Sequence, residues 1–308
     1  MTHAPSTVPP ITAGTGELRT DRDPFAAMDW LLMAGLSLVW GSSFLLMAVG
    51  LESLHPGVVT WLRVVSGAAA LLVVRRRRVT FEPDDQRRLV LLAVTWVVVP
   101  FTLFPIAEQH VNSAVAGILN GATPIWAALV GAVWFGRPSR GLQRIGLVVG
   151  FVGMVVVSVS SSGAGGDTAV LGIVLVLVAT LLYGWSLQLL GPLQHRYGAV
   201  PVARRLLVLA SVATTPFGLW GLRDSTFEPV PVLATLVLGV VGTGIAFVMM
   251  SVLAGRVGGS RASFVTYVIP VVAVALGMVV LGDEVQPAAL AGVVLVIAGA
   301  VAASRREA

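Results

Sequence analysis

The 308-residue chain contains no cysteine, which removes disulfides, thiolate metal sites, thiol nucleophiles and thiol redox chemistry together. Lysine is absent as well: all 20 basic residues are arginine. Neither a P-loop lysine for a nucleotide phosphate nor a Schiff base is therefore available, and a nucleotide-hydrolysing pump is excluded for this chain. Charge of either sign is scarce, 11% of residues against 56% hydrophobic, and the mean hydropathy is +0.90. One water-solvated core is too small to hide that much apolar surface, so a bilayer must supply the rest of the solvent.

A pI near 10.9 could suggest a nucleic-acid partner. The arginines, however, stand in short clusters between apolar runs rather than in one stripe on a soluble face, which argues against nucleic acid. Residues 1–28, rich in Thr, Pro, Ala and Gly, read as a disordered cytoplasmic tail. No basic n-region stands at Met1, and the first apolar run is longer than the h-region of a signal peptide.

A hydrocarbon layer about 30 Å thick needs about 20 helical residues at a rise of about 1.5 Å each. Ten apolar runs approach that length: Trp30 to Leu51, Gly57 to Val74, Leu89 to Ile106, Ala114 to Phe135, Ile145 to Val159, Ala169 to Leu190, Leu206 to Leu222, Val232 to Ala254, Ala262 to Leu281 and Ala288 to Ala303. Lipid offers no hydrogen-bond partner to the backbone, so these runs are expected to be helices, and short loops make neighbours antiparallel. With the N-terminus inside, the inner loops collect Arg75 to Arg78, Arg87, Arg88, Arg137, Arg140, Arg144, Arg196, Arg204, Arg205, Arg256 and Arg261, while Arg223 alone lies outside. This positive-inside asymmetry predicts a multi-pass protein of the cytoplasmic (inner) membrane with both termini cytoplasmic.

Sliding the chain on itself by 146 residues (270 minus 124) aligns Ala116 with Ala262, Pro124 with Pro270, Gly131 with Gly277, Gly136 with Gly282, Gly146 with Gly292 and Gly153 with Gly299. Five helices per half is an odd number, so the second copy must sit upside down. The expected fold is an all-α integral membrane protein of ten transmembrane helices, two five-helix inverted-topology repeats over 29–160 and 168–304. Such repeats support alternating access.

Trp40-Gly41-Ser42-Ser43-Phe44, Arg63, Pro124 and Pro270, Gly136 and Leu281-Gly282-Asp283-Glu284 together resemble the EamA-type family of the drug/metabolite transporter superfamily, from about Trp30 to Ser304. The resemblance implies a ten-helix inverted-repeat carrier, mostly of the kind that exports amino acids, other metabolites or drugs. One departure stands out: the first half reads Gly136-Arg137-Pro138 where an acid commonly follows the glycine.

Arg63 is the sharpest single signal, because a guanidinium inside a membrane helix costs about 2.5–3.5 kcal/mol unless it faces protein or water. Three readings are open: a structural ion pair with Glu108, contact with an anionic substrate group, or snorkelling to the outer surface. The paired prolines Pro124 and Pro270, with Asn120, Trp126, Thr266 and Tyr267 around them, mark corresponding interruptions in the two halves, either a cavity or mere packing kinks. Trp40, Ser42 and Ser43, and Tyr183, Trp185, Ser186 and Gln188, either face a cavity or belong to packing and interfacial belts. Gly146 and Gly150 read as close helix packing. His55 and His110 lack metal-ligand spacing, and neither metal nor cofactor is implied.

The expected function is a secondary carrier moving a small neutral, zwitterionic or amphipathic molecule through a weakly charged central cavity. Its partners are that small-molecule substrate and the lipid bilayer. No carboxylate stands at mid-membrane, which leaves facilitated diffusion and exchange open beside proton coupling. The rival classes are a non-transporting sensor or assembly subunit, and an intramembrane enzyme, for which no nucleophile and base are legible.

Overall fold

The computed structural model describes residues 26–73, 79–136, 141–257, 262 and 265–304, with side chains for all but 161–167, 255, 300 and 303–304. The tail expected over 1–28 lies outside the described residues as far as 25, and so do the expected inner-loop arginines Arg75 to Arg78, Arg137, Arg140 and Arg261. Regular structure among the described residues is helical throughout: α1 (Ala27–Leu51), α2 (Pro56–Val73), α3 (Pro83–Ala107), α4 (Ser113–Trp134), α5 (Gly141–Tyr197), α6 (Ala199–Gly221), α7 (Pro229–Ala254), α8 (Val265–Leu281) and α9 (Pro287–Ser304).

Eight stretches are long and apolar enough to cross a membrane, namely α1 to α4, two limbs of α5 (Gly141–Ser160 and Thr168–Tyr197), Ala199–Asp224 and α7. Val265–Leu281 and Pro287–Gly299 are apolar but shorter. The outer surface shows why water is not their solvent: Val279 is 84% exposed, Val73 81% and Val212 73%. Exposed side chains of this kind occur along most of the helices and fit a lipid contact.

A straight helix of the 57 residues of α5 would be about 86 Å long, nearly three times the hydrocarbon thickness. Its two limbs instead both pack on the same stretch of α4. Gly150 lies against Ile125, while Gly184, 34 residues later (184 minus 150), lies against Trp126 and Ala127 of the same helix α4. Glycine permits this approach, since a methyl built at Gly184 would stand 2.7 Å from the Ala127 nitrogen. The same face of the first limb also meets α9, where Gly150 approaches Gly299 and Gly153 faces Gly292 and Val296.

Two ends of the bundle are defined by polar ties. At one, buried Asp29 accepts from Arg256 Nε at 2.5 Å and from the Ala26 amide at 2.9 Å, joining the start of α1 to the residues just past α7. Buried Asp85 accepts there from Arg196 (2.8 Å), Tyr197 (2.8 Å) and Arg88 (3.2 Å), and Arg196 also pairs with Glu82. At the other end the His55 amide donates to Ser225 Oγ at 2.9 Å and the Thr226 amide to the Ser53 carbonyl at 2.8 Å.

Four helices differ from simple α-helical runs. π-helical turns occur at Ala93–Val98 in α3, Val240–Ile245 in α7 and Gly277–Leu281 in α8. Helix α3 also begins at Pro83, six residues before the apolar run, because its first turn is the polar Asp84-Asp85-Gln86 set that ties the bundle end. Helix α4 breaks at Gly121-Ala122 and restarts at Thr123.

Candidate functional site

Arg63 lies on the buried face of α2, 8% exposed. Its Nε donates to Thr243 Oγ1 at 3.2 Å, and its guanidinium carbon sits 3.7 Å from the centre of the Phe101 ring. The π-helical turn places Thr243 there: the hydroxyl reaches back five residues to the Leu238 carbonyl at 3.3 Å and still accepts from the arginine. Phe101 is held by Thr60, whose hydroxyl donates to the Phe101 carbonyl at 2.9 Å. A buried guanidinium over an aromatic face is stabilised by the ring quadrupole, by about 2 kcal/mol where water is excluded.

Among the described residues neither terminal amino group of Arg63 makes a hydrogen bond, and the tie expected with Glu108 is not a contact pair. Both Glu108 carboxylate oxygens are buried without a hydrogen-bond partner among the described residues. The reason for the gap is positional. Glu108 caps the end of α3, whereas the α3 residue beneath Arg63 is Phe101, about two helical turns earlier.

Ser43 joins this group: its hydroxyl donates to the Val39 carbonyl at 3.0 Å, and a methyl on Gly242 would meet its oxygen at 3.2 Å. Trp40, one turn earlier on α1, is half-buried against the main core. Tyr183 stacks on Phe104 (6.0 Å) and meets Trp96 at a tilt (5.2 Å), both of α3. Ser186 shares a 2.7 Å hydrogen bond with Thr95, next to the π-helical turn of α3.

The helices that carry the paired prolines meet where Gly121 faces Pro270, but the two prolines are not alike. Pro124 occupies the first turn of the restarted half of α4, where its missing N–H costs nothing, and Thr123 Oγ1 donates to the Asn120 carbonyl at 2.8 Å. Pro270 stands inside continuous α8 and packs on Gly121 so closely that no methyl would fit between them. Tyr267, one turn before Pro270, is buried with Ala122, Ile125, Met154 and Val296. Asn120 is half-buried.

Trp185 is placed elsewhere. Its ring meets Trp134 at 5.9 Å and Phe135 at 5.5 Å, at the far end of α4, and Trp134 is 59% exposed. Beside it Gln188 Nε2 donates to the Ala127 carbonyl at 2.9 Å. Thr243 and Phe101 are the members of the Arg63 group that sequence reading missed. The Gly242-Thr243-Gly244 triplet in an apolar span was the available sign, since glycines flanking a hydroxyl weaken an α-helix locally.

The family comparison decides what this arrangement belongs to. The model of the EamA-like transporter family matches the chain twice, over residues 28–159 and 170–305. The chain belongs to the EamA-like transporter family. The boundary between the two matches falls inside α5, between its limbs.

This EamA-like protein is similar along most of its length to a probable terminal-alkyne amino-acid exporter of Streptantibioticus cattleyicolor, 27% identical over 90% of this chain and 93% of that one. It is similar also to an uncharacterized transporter of Archaeoglobus fulgidus, 22% identical over 88% and 96% of the two chains. A probable amino-acid metabolite efflux pump of Salmonella typhimurium is 25% identical over 88% of this chain and 87% of that one. One solved crystal structure matches with a TM-score of 0.62 at 17% identity, covering 91% of this chain and 97% of that one, which shows a shared fold. The chain is a multi-pass membrane transporter, with a small-molecule substrate and the bilayer as its partners.

Proposed function

We propose that this EamA-like transporter is a secondary exporter of a small zwitterionic metabolite, moved by alternating access between two five-helix halves of opposite topology, with Arg63 holding the substrate's anionic group. The observation that carries the reading is Arg63 itself. It is a buried cation between the two family-matched halves, bonded to Thr243 of the second and stacked on Phe101 of the first, with its terminal N–H donors uncommitted among the described residues. A planar guanidinium of this kind suits a carboxylate bidentately. The exporter names of two relatives support an amino-acid-like substrate.

Ten membrane helices follow if the two shorter apolar helices, α8 and α9, also cross. Each match then holds five spans, and the odd number inverts the second half. The π-helical turns at Ala93–Val98 and Val240–Ile245 support the repeat, since they occupy corresponding places in α3 and α7. The halves are assigned to 29–160 and 168–304, preceded by a cytoplasmic tail over 1–28. Arg88, Arg196, Arg205 and Arg256 gather at one end of the bundle and Arg223 at the other, which supports a cytoplasmic-membrane protein with both termini inside. Trp40, Ser43, Asn120, Pro124, Tyr267 and Pro270 are assigned to the walls of the substrate path, and Trp185 to its cytoplasmic mouth.

Proteoliposomes test this directly. An amino acid should exchange across the membrane, while its methyl ester, which lacks the carboxylate, should move at least about tenfold more slowly, given the strength of a charge-assisted hydrogen bond. Arg63→Gln should erase that discrimination. Equal flux of acid and ester through the native protein would remove Arg63 from the site.

A further inference from the structure

At the end of the bundle where His55 meets Ser225, a carboxylate adds a separate tie between the two halves. Asp283 Oδ2, from the family-matched second half, accepts from Ser113 Oγ at 2.8 Å and from the Ala114 amide at 3.0 Å, both in the first turn of α4 in the other half. A free helix N-terminus leaves amide donors without partners and carries a partial positive charge, so a carboxylate there is held by hydrogen bonds and by the helix dipole. A second strap runs beside it, from Asn112 Nδ2 to the Glu284 carbonyl at 3.2 Å, while Asn112 Oδ1 caps the Val115 amide at 2.9 Å.

The backbone around Asp283 is built to present it. Gly282 has a φ of 70°, which a side chain disfavours, and the Asp283 amide donates back to the Gly277 carbonyl at 3.0 Å. A methyl on Gly277 would stand 2.6 Å from the same carboxylate oxygen. Beneath the strap α4 and α8 stay in contact, with Gly117 against Ala273 and Gly121 against Pro270.

We propose that Asp283 is the gate residue of this transporter: its grip on Ser113 and Ala114 holds the two halves shut at that end, and it must let go before the substrate path can open there. The proposal rests on the alternating-access reading. The opposite end has no copy of the device in the sequence, because the 146-residue offset (283 minus 137, and 259 minus 113) pairs Asp283 with Arg137 and Ser113 with Gly259. Neither the acid nor the hydroxyl is repeated. The Asp283 device therefore belongs to one end alone, and the opposite end is tied by different pairs, Asp29 with Arg256 and Asp85 with Arg196.

Because the chain has no cysteine, a single Asn120→Cys change gives a clean reporter one to two turns below the strap. An impermeant maleimide added from the Asp283 side should label it slowly. Asp283→Ala should raise that rate about tenfold, from the loss of two hydrogen bonds to a charged group. Asp283→Asn, which keeps an acceptor oxygen, should stay within about threefold of the parent, and Ser113→Ala, which keeps the Ala114 amide, should fall between them. An unchanged rate in Asp283→Ala, or equal rates in the Ala and Asn variants, overturns the gate. Should Asp283→Ala not fold, the order of Ser113→Ala above Asp283→Asn above parent carries the test, and its failure overturns the gate equally. Substrate flux in proteoliposomes is read on the same variants without the reporter. No flux in the parent strikes at the carrier reading, whereas flux with indifferent labelling strikes at the gate alone.

Discussion

Arg63 and Thr243 are 180 residues apart in sequence and meet at 3.2 Å, a guanidinium of one half resting on a hydroxyl that a π-helical turn of the other half delivers. Removing that hydroxyl leaves Nε unpaired in an apolar setting, a loss of about 1–3 kcal/mol. Thr243→Val should therefore lower the melting temperature in detergent, and Thr243→Ser, which keeps the oxygen, should restore most of it. A Thr243→Val protein as stable as the parent would mean that the contact carries no energy.

Glycine faces glycine where α9 crosses the first limb of α5. A methyl at Gly153 would stand 2.7 Å from the Val296 nitrogen and 2.9 Å from the Gly292 carbonyl, both backbone atoms that cannot rotate aside. Gly153→Ala should then cost about 1–3 kcal/mol through helix separation, the usual scale of overpacking. Thermal unfolding followed by size-exclusion chromatography reads the shift, and an unchanged profile would contradict the close approach.

Much of this architecture could be read from the residues alone, because lipid imposes a length and a polarity on every span. The repeat showed itself in glycines at one offset. What stayed hidden has three physical causes. Hydropathy does not register the polar first turn of α3, where Asp85 is buried by hydrogen bonds rather than by apolar character. It is equally blind to π-helical turns, which change which residue faces inward without changing composition. Spacing by depth suggested Glu108 as the neighbour of Arg63, yet the helix that approaches Arg63 with a hydrogen-bonding side chain is α7, a long-range pairing that no local pattern encodes.

The Asp85 cluster separates a buried charge from exposed ones. Asp85 is 3% exposed and accepts from three side chains, whereas Arg88 has 63% of its side chain exposed. Asp85→Ala strips Tyr197 and Arg196 of their acceptor and should destabilise by about 2–4 kcal/mol. Arg88→Ala should cost less than about 1 kcal/mol, since a solvated pair contributes little. Comparable losses in the two variants would show that the cluster is held by solvated charge and not by burial.

Gly136 and Gly282 end the corresponding helices of the two halves with φ of 62° and 70°, and among the described residues nothing lies within 4 Å of a methyl built on either. Substitution by alanine at these places meets no neighbour, so its cost is one of backbone conformation, about 1–2 kcal/mol for a side chain in the left-handed region. Gly136→Ala and Gly282→Ala should accordingly lower the melting temperature by similar amounts. Only Gly282 precedes the carboxylate that grips Ser113 and Ala114, however, so relaxation of its backbone should turn Asp283 away from its donors. Labelling at Asn120→Cys from the Asp283 side should rise in Gly282→Ala and stay at the parent rate in Gly136→Ala. If both variants lose stability equally and neither changes the labelling, the left-handed glycines are plain helix terminators and the presentation of Asp283 does not depend on them.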